Sequence, residues 1–563
     1  MVPIEQCLGK LCFVAFDATS TKFFGFSEYL AALALMVVVW TTTDIRYRFR
    51  IATAPLPLHP LTFASIALVG VLTLMTDLWR AEGWLVPAGS ILTPAIWQAL
   101  LGAVFLLTFL TWAWFAYMKP PIFGKQNAER FGQYLFWTIM DASPSQIITI
   151  AQELIRSVPA LINHAPNSRR MGGYMPGEEP PKPTRLQGIA NDILLLMADQ
   201  RFCRALVESS PGTILAVFQE IGETKKYGVA VAQFGRNVVG AAIENPNSFM
   251  YHEVEGYTSG LLGYLKPLSQ AIFGSHEMAE AIDTLLDPDY KTRQRWSATE
   301  WEAYARAVLI TLSSYATNRY SQHSFILHRA FGEFENAASD LYKINGLEGS
   351  IWDHDSAQKL RVSVDFCSEA IKVLNENGVP KGLHIRIREG VPLYYRSILD
   401  RLVDLIFDII LTASSVKRPK GLNWTIQHNF VWGEFFGGLS EDSEVGKIVK
   451  FKLRRKIYDE IVTATSWPNF KNSAILGFCL NVIGLEIHEG NFGRDSRPLQ
   501  RAVLAWTKRN YASLEAMSPQ VFADCLPEGL VYDKKKCRLV RTSEINALRS
   551  EPEHFYFELD RPG

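Results

Sequence analysis

The side chains best suited by type and spacing to do chemistry lie in the second half of the chain. His323 and His328 precede the run Trp352-Asp353-His354-Asp355, and Asp400, Asp404 and Asp408 follow four residues apart. Imidazoles and carboxylates can hold a divalent cation and lower the pKa of its bound water for hydrolysis. His354 and Asp355, with His323, His328, Asp400 and Asp404, therefore form the candidate catalytic set. On that reading the chain is a membrane-tethered, metal-dependent hydrolase. A plainer reading stands beside it. His354 comes just after Gly349-Ser350, where a helix cap is as natural as a ligand, and the aspartates sit in LVDLIFD as on a solvated helix face. Only the hydrolase reading calls for a cofactor, the divalent metal.

Other chemistry-bearing patterns are sparse. GxxxxGK[ST], GxGxxG after a strand, HExxH and GxSxG do not occur, which removes support for a P-loop ATPase, a Rossmann dehydrogenase, a common zinc protease and a typical serine hydrolase. The seven cysteines form no CxxC pair and read as small buried hydrophobes. Cys7 and Cys12 are near enough in sequence for a disulfide. His252-Glu253 and His276-Glu277 bracket a glycine-rich segment in which Tyr257, Tyr264 and Lys266 are candidates for lining a partner groove. Lys452, Arg454, Arg455 and Lys456 make a basic cluster that fits a solvated helix face or anionic lipid headgroups.

The elements that must carry these residues follow from how charge is distributed. The 563 residues hold 57 Lys+Arg and 57 Asp+Glu, and a balanced chain lacks the basic face that general nucleic-acid binding needs. Only 13 ionised residues fall in the first 124 positions, against 101 in the remaining 439. That contrast predicts a membrane domain over 1–124 followed by a water-soluble remainder. Tyr29–Thr43, Ile51–Thr76 and Gly83–Met118 carry no Asp, Glu, Lys or Arg. A hydrocarbon core of about 30 Å takes roughly 20 apolar residues as helix, so spans are expected at about 26–43, 61–79 and 94–118. The first needs Glu28 at the interface, so the number is three or two.

Loop charges orient the spans. Arg46, Arg48 and Arg50 follow the first, Asp77, Arg80 and Glu82 the second, and Lys119 and Lys125 the third. Positive segments stay cytoplasmic, which predicts a multi-pass protein of the plasma (bacterial inner) membrane with its large C-terminal part in the cytoplasm. Trp79, Trp84 and Trp97 then mark the outer level, and Trp40, Trp112, Trp114 and Tyr117 the inner.

Beyond the spans the pattern is mainly α. Juxtamembrane helices are expected over 125–164, one of them lying on the bilayer surface near 131–140. A Pro/Gly-rich linker follows at 165–185, then an irregular α-helical array over 186–520 and a C-terminal β appendage over 521–563. In the appendage, GLVYD-KKK-CRLVR reads as a hairpin and HFYFELD as a third strand. The best-supported expectation is a membrane-anchored helical sensor, scaffold or effector. It would bind a protein partner or signal ligand and act through oligomerising membrane helices. In architecture it is similar to bacterial membrane effectors of stress or antiviral defence, in which a sensor domain drives permeabilisation. An oligomeric channel component is a further alternative.

Overall fold

The computed structural model describes residues 6–8, 11–16, 22–42, 44–87, 93–141, 143–167, 183–253, 258–259, 263–264, 267–318, 323–347, 351–377, 397–438, 443–487, 495–523, 525–543 and 553–561. The fold is mostly helical, with a small antiparallel sheet near the C-terminus. It divides into two units, Met1–Asn237 and Val238–Gly563.

The first unit opens with strands β1 (Gln6–Leu8) and β2 (Leu11–Ala15), joined in one antiparallel sheet by β3 (Leu85–Pro87) in the order β1-β2-β3. The backbones of Cys7 and Cys12 are cross-strand partners; their side chains lie outside the described part. Helix α1 (Phe26–Thr42) runs to a bend of 107° before α2 (Ile45–Ala52). Next come α3 (Leu58–Ala81) and α4 (Pro94–Ala113), the latter extended by a π-helical turn, Trp114–Met118.

Two stretches, Leu58–Ala81 and Pro94–Met118, are long and apolar enough to cross a membrane, with mean hydropathies of 1.9 and 2.0. They match the second and third expected spans. The second starts earlier than expected because Pro60 falls in the first turn of α3, where a missing N–H costs nothing. Thr93 caps α4 by accepting the Ile96 N–H at 3.3 Å, with Pro94 at the first helical position. Most of both helices faces outward with apolar side chains, Phe63 and Leu107 among them, the reverse of a water-soluble surface.

The three long helices meet around Tyr29, Met36, Ile66, Val69 and Leu101. The Tyr29 hydroxyl donates to the Ile66 carbonyl at 3.0 Å, and its ring lies against Gly70, whose lack of a Cβ makes room for it. A second cluster, Ile51, Ala54, Leu58, Trp112 and Ala116, closes the other end. Trp112 is thus buried at that end of the bundle, whereas Trp114 and Tyr117 face outward.

Among the described residues this unit continues with α5 (Ala128–Asp141), α6 (Pro144–Leu154), α7 (Val158–His164), α8 (Arg185–Leu196), α9 (Gln200–Ser209) and α10 (Pro211–Thr224). Ser143 with Gln146, and Thr184 with Gln187, form capping boxes that start α6 and α8. Helix α8 packs on α5 and α7, α9 on α6, and α10 on α7. The first unit therefore continues past the stretch 165–185, of which 168–182 lie outside the described residues. Helix α11 (Ala232–Glu244) spans the division between units.

The second unit begins with α12 (Phe249–His252), the short strands β4 (Thr258–Ser259) and β5 (Gly263–Tyr264), and helices α13 (Pro267–Phe273), α14 (His276–Ile282) and α15 (Tyr290–Arg293). Longer helices follow: α16 (Ala298–Thr317), α17 (Phe325–Ala337), α18 (Asp355–Asn377) and α19 (Ile398–Ser414). Then come α20 (Lys420–Trp424), continued as the π-helix Thr425–Gly438, and α21 (Glu444–Thr463), α22 (Phe470–Ile483), α23 (Arg497–Met517) and α24 (Pro519–Ala523). Helix α19 is central, packing on α17, α18, α21 and α22. Helix α22 is apolar around most of its circumference and correspondingly buried.

The chain ends in β6 (Leu530–Asp533), β7 (Arg538–Ser543) and β8 (Glu553–Glu558), antiparallel in the order β6-β7-β8. This is the hairpin and third strand that the sequence predicts, with Lys534–Lys536 in its turn.

Candidate functional site

A connected set of polar contacts lies in the first unit where α2, the end of α4 and α6 meet. Arg46 and Arg50 are four residues apart and so share one face of α2. Arg50 donates through Nε and Nη2 to both Glu153 oxygens, at 2.7 and 2.8 Å, and through Nη1 to the Ala116 carbonyl at 2.9 Å. Both side chains of the pair are at most 10% exposed. Arg46 adds a contact of 3.4 Å to Glu153 and a hydrogen bond of 3.0 Å to Gln152.

The carbonyl that Arg50 takes belongs to the π-turn Trp114–Met118. There the helix widens at the close of its apolar run, a feature frequent at functional sites. A forked, charge-assisted contact of this kind fixes direction as well as distance. One guanidinium therefore links the helix that follows α1, the end of α4 and α6.

Neighbouring contacts hold the same junction. Asn127 donates to the carbonyls of Thr53 and Ile122 at 2.6 and 3.0 Å. Arg130, at the start of α5, donates to the carbonyls of Ala54 and Pro55 at 2.9 and 2.7 Å. The turn into α3 is thereby tied to α5 by hydrogen bonds, since Pro55 and Pro57 deny it a helical ladder. Sequence reading found Arg46, Arg48 and Arg50 as charges that set topology, and missed Glu153 and Asn127. The available signal was the four-residue spacing of Arg46 and Arg50, which needs an acid on a facing helix when that face is buried. Arg48, Lys119 and Lys125 stay exposed, as charges facing water or headgroups would.

Helix α5 carries apolar residues on both faces. Phe131, Leu135 and Ile139 are buried, while Phe136, Trp137 and Met140 are 44, 63 and 52% exposed. An outward aromatic and sulfur-bearing face on a helix joined to the end of α4 suits the lipid–water boundary, where tryptophan is enriched.

The histidines and aspartates of the candidate catalytic set are dispersed. His323 and His328 come together, with ring centroids 5.2 Å apart. They border a cavity of about 10 Å³ with Tyr315, Ser324, Ser397, Ile398 and Arg401, room for about one water. Burial holds the His323 imidazole below its ordinary pKa. Asp400 and Asp404, although near in sequence to that cavity, turn to α21: Lys452 pairs with Asp400 and Lys456 with Asp404. Asp400 also accepts from the Ser397 N–H and hydroxyl, at 3.1 and 2.9 Å, as a capping box. His354 precedes α18, its carbonyl accepting the first turn's N–H groups. Asp355 pairs with Lys359 at 2.7 Å and accepts the Ala298 N–H at 3.0 Å. Among the described residues no group of three or more His, Cys, Asp or Glu side chains is arranged to hold a metal ion.

The basic cluster on α21 is a solvated face only in part: Arg455 is exposed, whereas Lys452 is buried. The Lys452 side chain is 1% exposed against Asp400, Arg454 donates to the Asp495 carbonyl, and Arg455 pairs with Asp459. Helices α19 and α21 place acids and amines at matching four-residue intervals, and the pairs close between them. Beyond those pairs, burial foremost and then Glu335 raise the Asp408 carboxyl above its ordinary pKa, against Lys456 and Lys471.

A buried polar knot joins α14 to α17. His276 Nε2 lies 2.9 Å from the Ser324 hydroxyl. Glu280 accepts that hydroxyl and the N–H groups of Phe325 and Ile326, at 2.9, 2.8 and 3.2 Å. Burial alone would raise Glu280, but these bonds and His276 hold its carboxyl below the ordinary value. Glu253 likewise accepts the Leu268 and Ser269 N–H groups at the start of α13. Glu253 of one His-Glu pair and His276 of the other thus contribute to helix starts, the latter together with Glu280 rather than Glu277. Of the expected partner groove, Tyr257 and Lys266 lie outside the described residues, as does the side chain of Tyr264.

Comparison with protein-family models, with curated proteins and with solved structures found no match.

Proposed function

We propose that the chain is a membrane-anchored helical sensor or effector, in which a signal received by its water-soluble helices moves the membrane helices through the Arg50 junction. On this reading α1, α3 and α4 are the spans, in a plasma (bacterial inner) membrane. Arg46, Arg48, Arg50, Lys119 and Lys125 hold their shared end at the cytoplasmic face by the positive-inside rule, and the large helical remainder lies in the cytoplasm. The observation that carries the reading is the fork of Arg50 onto Glu153 together with its bond to the Ala116 carbonyl. An ion pair that links α6 directly to the ends of the apolar helices transmits any tilt or shift of α6 to them. The outward apolar faces of α3 and α4 supply contact surfaces for lipid and for other copies of the chain, so self-assembly in the bilayer is part of the proposal. The protein partner or signal ligand engages the helical remainder.

Expression in cells loaded with a membrane-impermeant dye tests the effector step. Dye uptake on activation, abolished by Arg50→Ala while the protein still resists carbonate extraction, is the expected result. Membranes that stay intact under every activating condition, or uptake unchanged in Arg50→Ala, would overturn it.

A further inference from the structure

A cavity of about 400 Å³ lies between the start of α4, the last turns of α3 and the β2–β3 pair. That size falls within the range of roughly 300–1,000 Å³ typical of small-ligand pockets. Its walls are Phe16, Leu72, Met75, Leu85, Val86 and Pro94, with Thr76, Trp79, Thr93 and Trp97. Each polar side chain among them is already engaged. Trp97 Nε1 donates to Thr76 Oγ1 at 3.0 Å, Thr76 to the Leu72 carbonyl at 2.6 Å, and Trp79 Nε1 to the Leu85 carbonyl at 3.1 Å. Thr93 Oγ1 accepts the Ile96 N–H of its own helix cap.

A mainly apolar wall whose indole N–H groups and Thr76 hydroxyl proton are already engaged disfavours polar ligands, because most polar groups entering it would lose their water unreplaced. Met75, Trp79 and Leu85 are also 48, 40 and 36% exposed, continuous with the outward face of α3 at Leu68, Val71 and Leu74. The cavity thus opens sideways onto the surface that would meet hydrocarbon.

We infer that this cavity binds one acyl chain of a bilayer phospholipid, held between Trp79 and Trp97 beneath the β2–β3 pair. The inference rests on the membrane-anchored reading above.

The test uses the full chain in nanodiscs of phosphatidylcholine and phosphatidylglycerol, doped with a phospholipid that carries a photoreactive diazirine on one acyl chain. Adducts are mapped by peptide mass spectrometry. The expected result is labelling of Met75, Trp79 or Trp97 that saturates at one probe per chain. It should be lost in Leu72→Trp and in Val86→Trp, which fill the cavity from different walls. Labelling at Leu68 and Leu107, which face surrounding lipid, should rise in proportion to probe and stay unchanged in both variants. Cavity adducts that never saturate, or that survive both fillings, would overturn the inference while leaving the anchoring intact. Absence of label at Leu68 and Leu107 as well would overturn both.

Discussion

The ring of Tyr29 occupies the place where Gly70 would otherwise carry a side chain. A Cβ added at Gly70 would stand 2.6 Å from the Tyr29 hydroxyl oxygen and 2.7 Å from the ring carbon that bears it. Gly70→Ala therefore forces α1 and α3 apart, and overpacking of this kind costs about 1–3 kcal/mol. Thermal unfolding in detergent should show a lower midpoint for Gly70→Ala, largely recovered when Tyr29→Ala is added. Tyr29→Phe, which keeps the ring, should not rescue it. Recovery by Phe would place the conflict at the hydroxyl alone and refute this account.

Truncating Glu153 leaves the Arg50 guanidinium buried beside the Ala116 carbonyl without its counter-charge. Losing one partner of a buried pair costs about 3–5 kcal/mol, so Glu153→Ala should unfold well below the native chain. Arg50→Lys keeps the charge but loses the fork, and an intermediate midpoint is expected. Equal stability of all three chains would show that the junction bears no load.

The Asp400–Lys452 pair allows a sharper comparison. Lys452→Met alone removes an amine that is 1% exposed and should cost several kcal/mol, of order 3–5. Combining it with Asp400→Asn, which keeps an acceptor for Ser397, should restore most of that loss, because no ionised member of the pair is then left buried without its partner. Unfolding midpoints of the two single variants and the double variant decide the point.

Two carboxyls predict opposite pH behaviour. Asp408 has a raised folded-state pKa, caused first by burial. Its contribution to stability is present below the ordinary aspartate value of about 3.9 and is lost as pH rises through the raised value. Asp408→Asn should therefore raise the midpoint at neutral pH, with the gain vanishing in acid. Glu280 has a lowered folded-state pKa, its hydrogen bonds outweighing burial. Its contribution is present above the ordinary glutamate value and lost as pH falls through the lowered one. Glu280→Gln should be least stable relative to the native chain at neutral pH, and the deficit should shrink on acidification. Parallel pH profiles for both variants would contradict these assignments.

What sequence alone could read was governed by range. The apolar runs of α3 and α4, the Thr93-Pro94 cap and the hairpin around Lys534–Lys536 are local patterns, and each appears where its pattern places it. The partners of charged residues were not legible, because they depend on which helices meet. Arg50 reads as a topology signal until Glu153, 103 residues later, is set against it. Asp400 and Asp404 read as metal ligands or solvent-facing acids until Lys452 and Lys456 arrive from α21. Trp112 reads as an interfacial tryptophan, and its burial depends on Ile51, Ala54 and Leu58, which pack against it from other segments. The histidines were legible as a pair but not as a site, since the carboxylates nearest in sequence point toward amines.

The contacts between α19 and α21 have one further property. Asp400 meets Lys452 and Asp404 meets Lys456, each at a sequence offset of 52, but a third acid, Asp408, continues the row with no third amine beside it on α21. Sliding one helix by a single turn, about 5.4 Å, would join Asp404 to Lys452 and Asp408 to Lys456, and Asp400 would retain its bonds to Ser397. Charge alone thus permits two alignments, like adjacent teeth of a ratchet. The selection between them falls to Val449, Leu453 and Ile457, the uncharged side chains seated along the inner edge of α21.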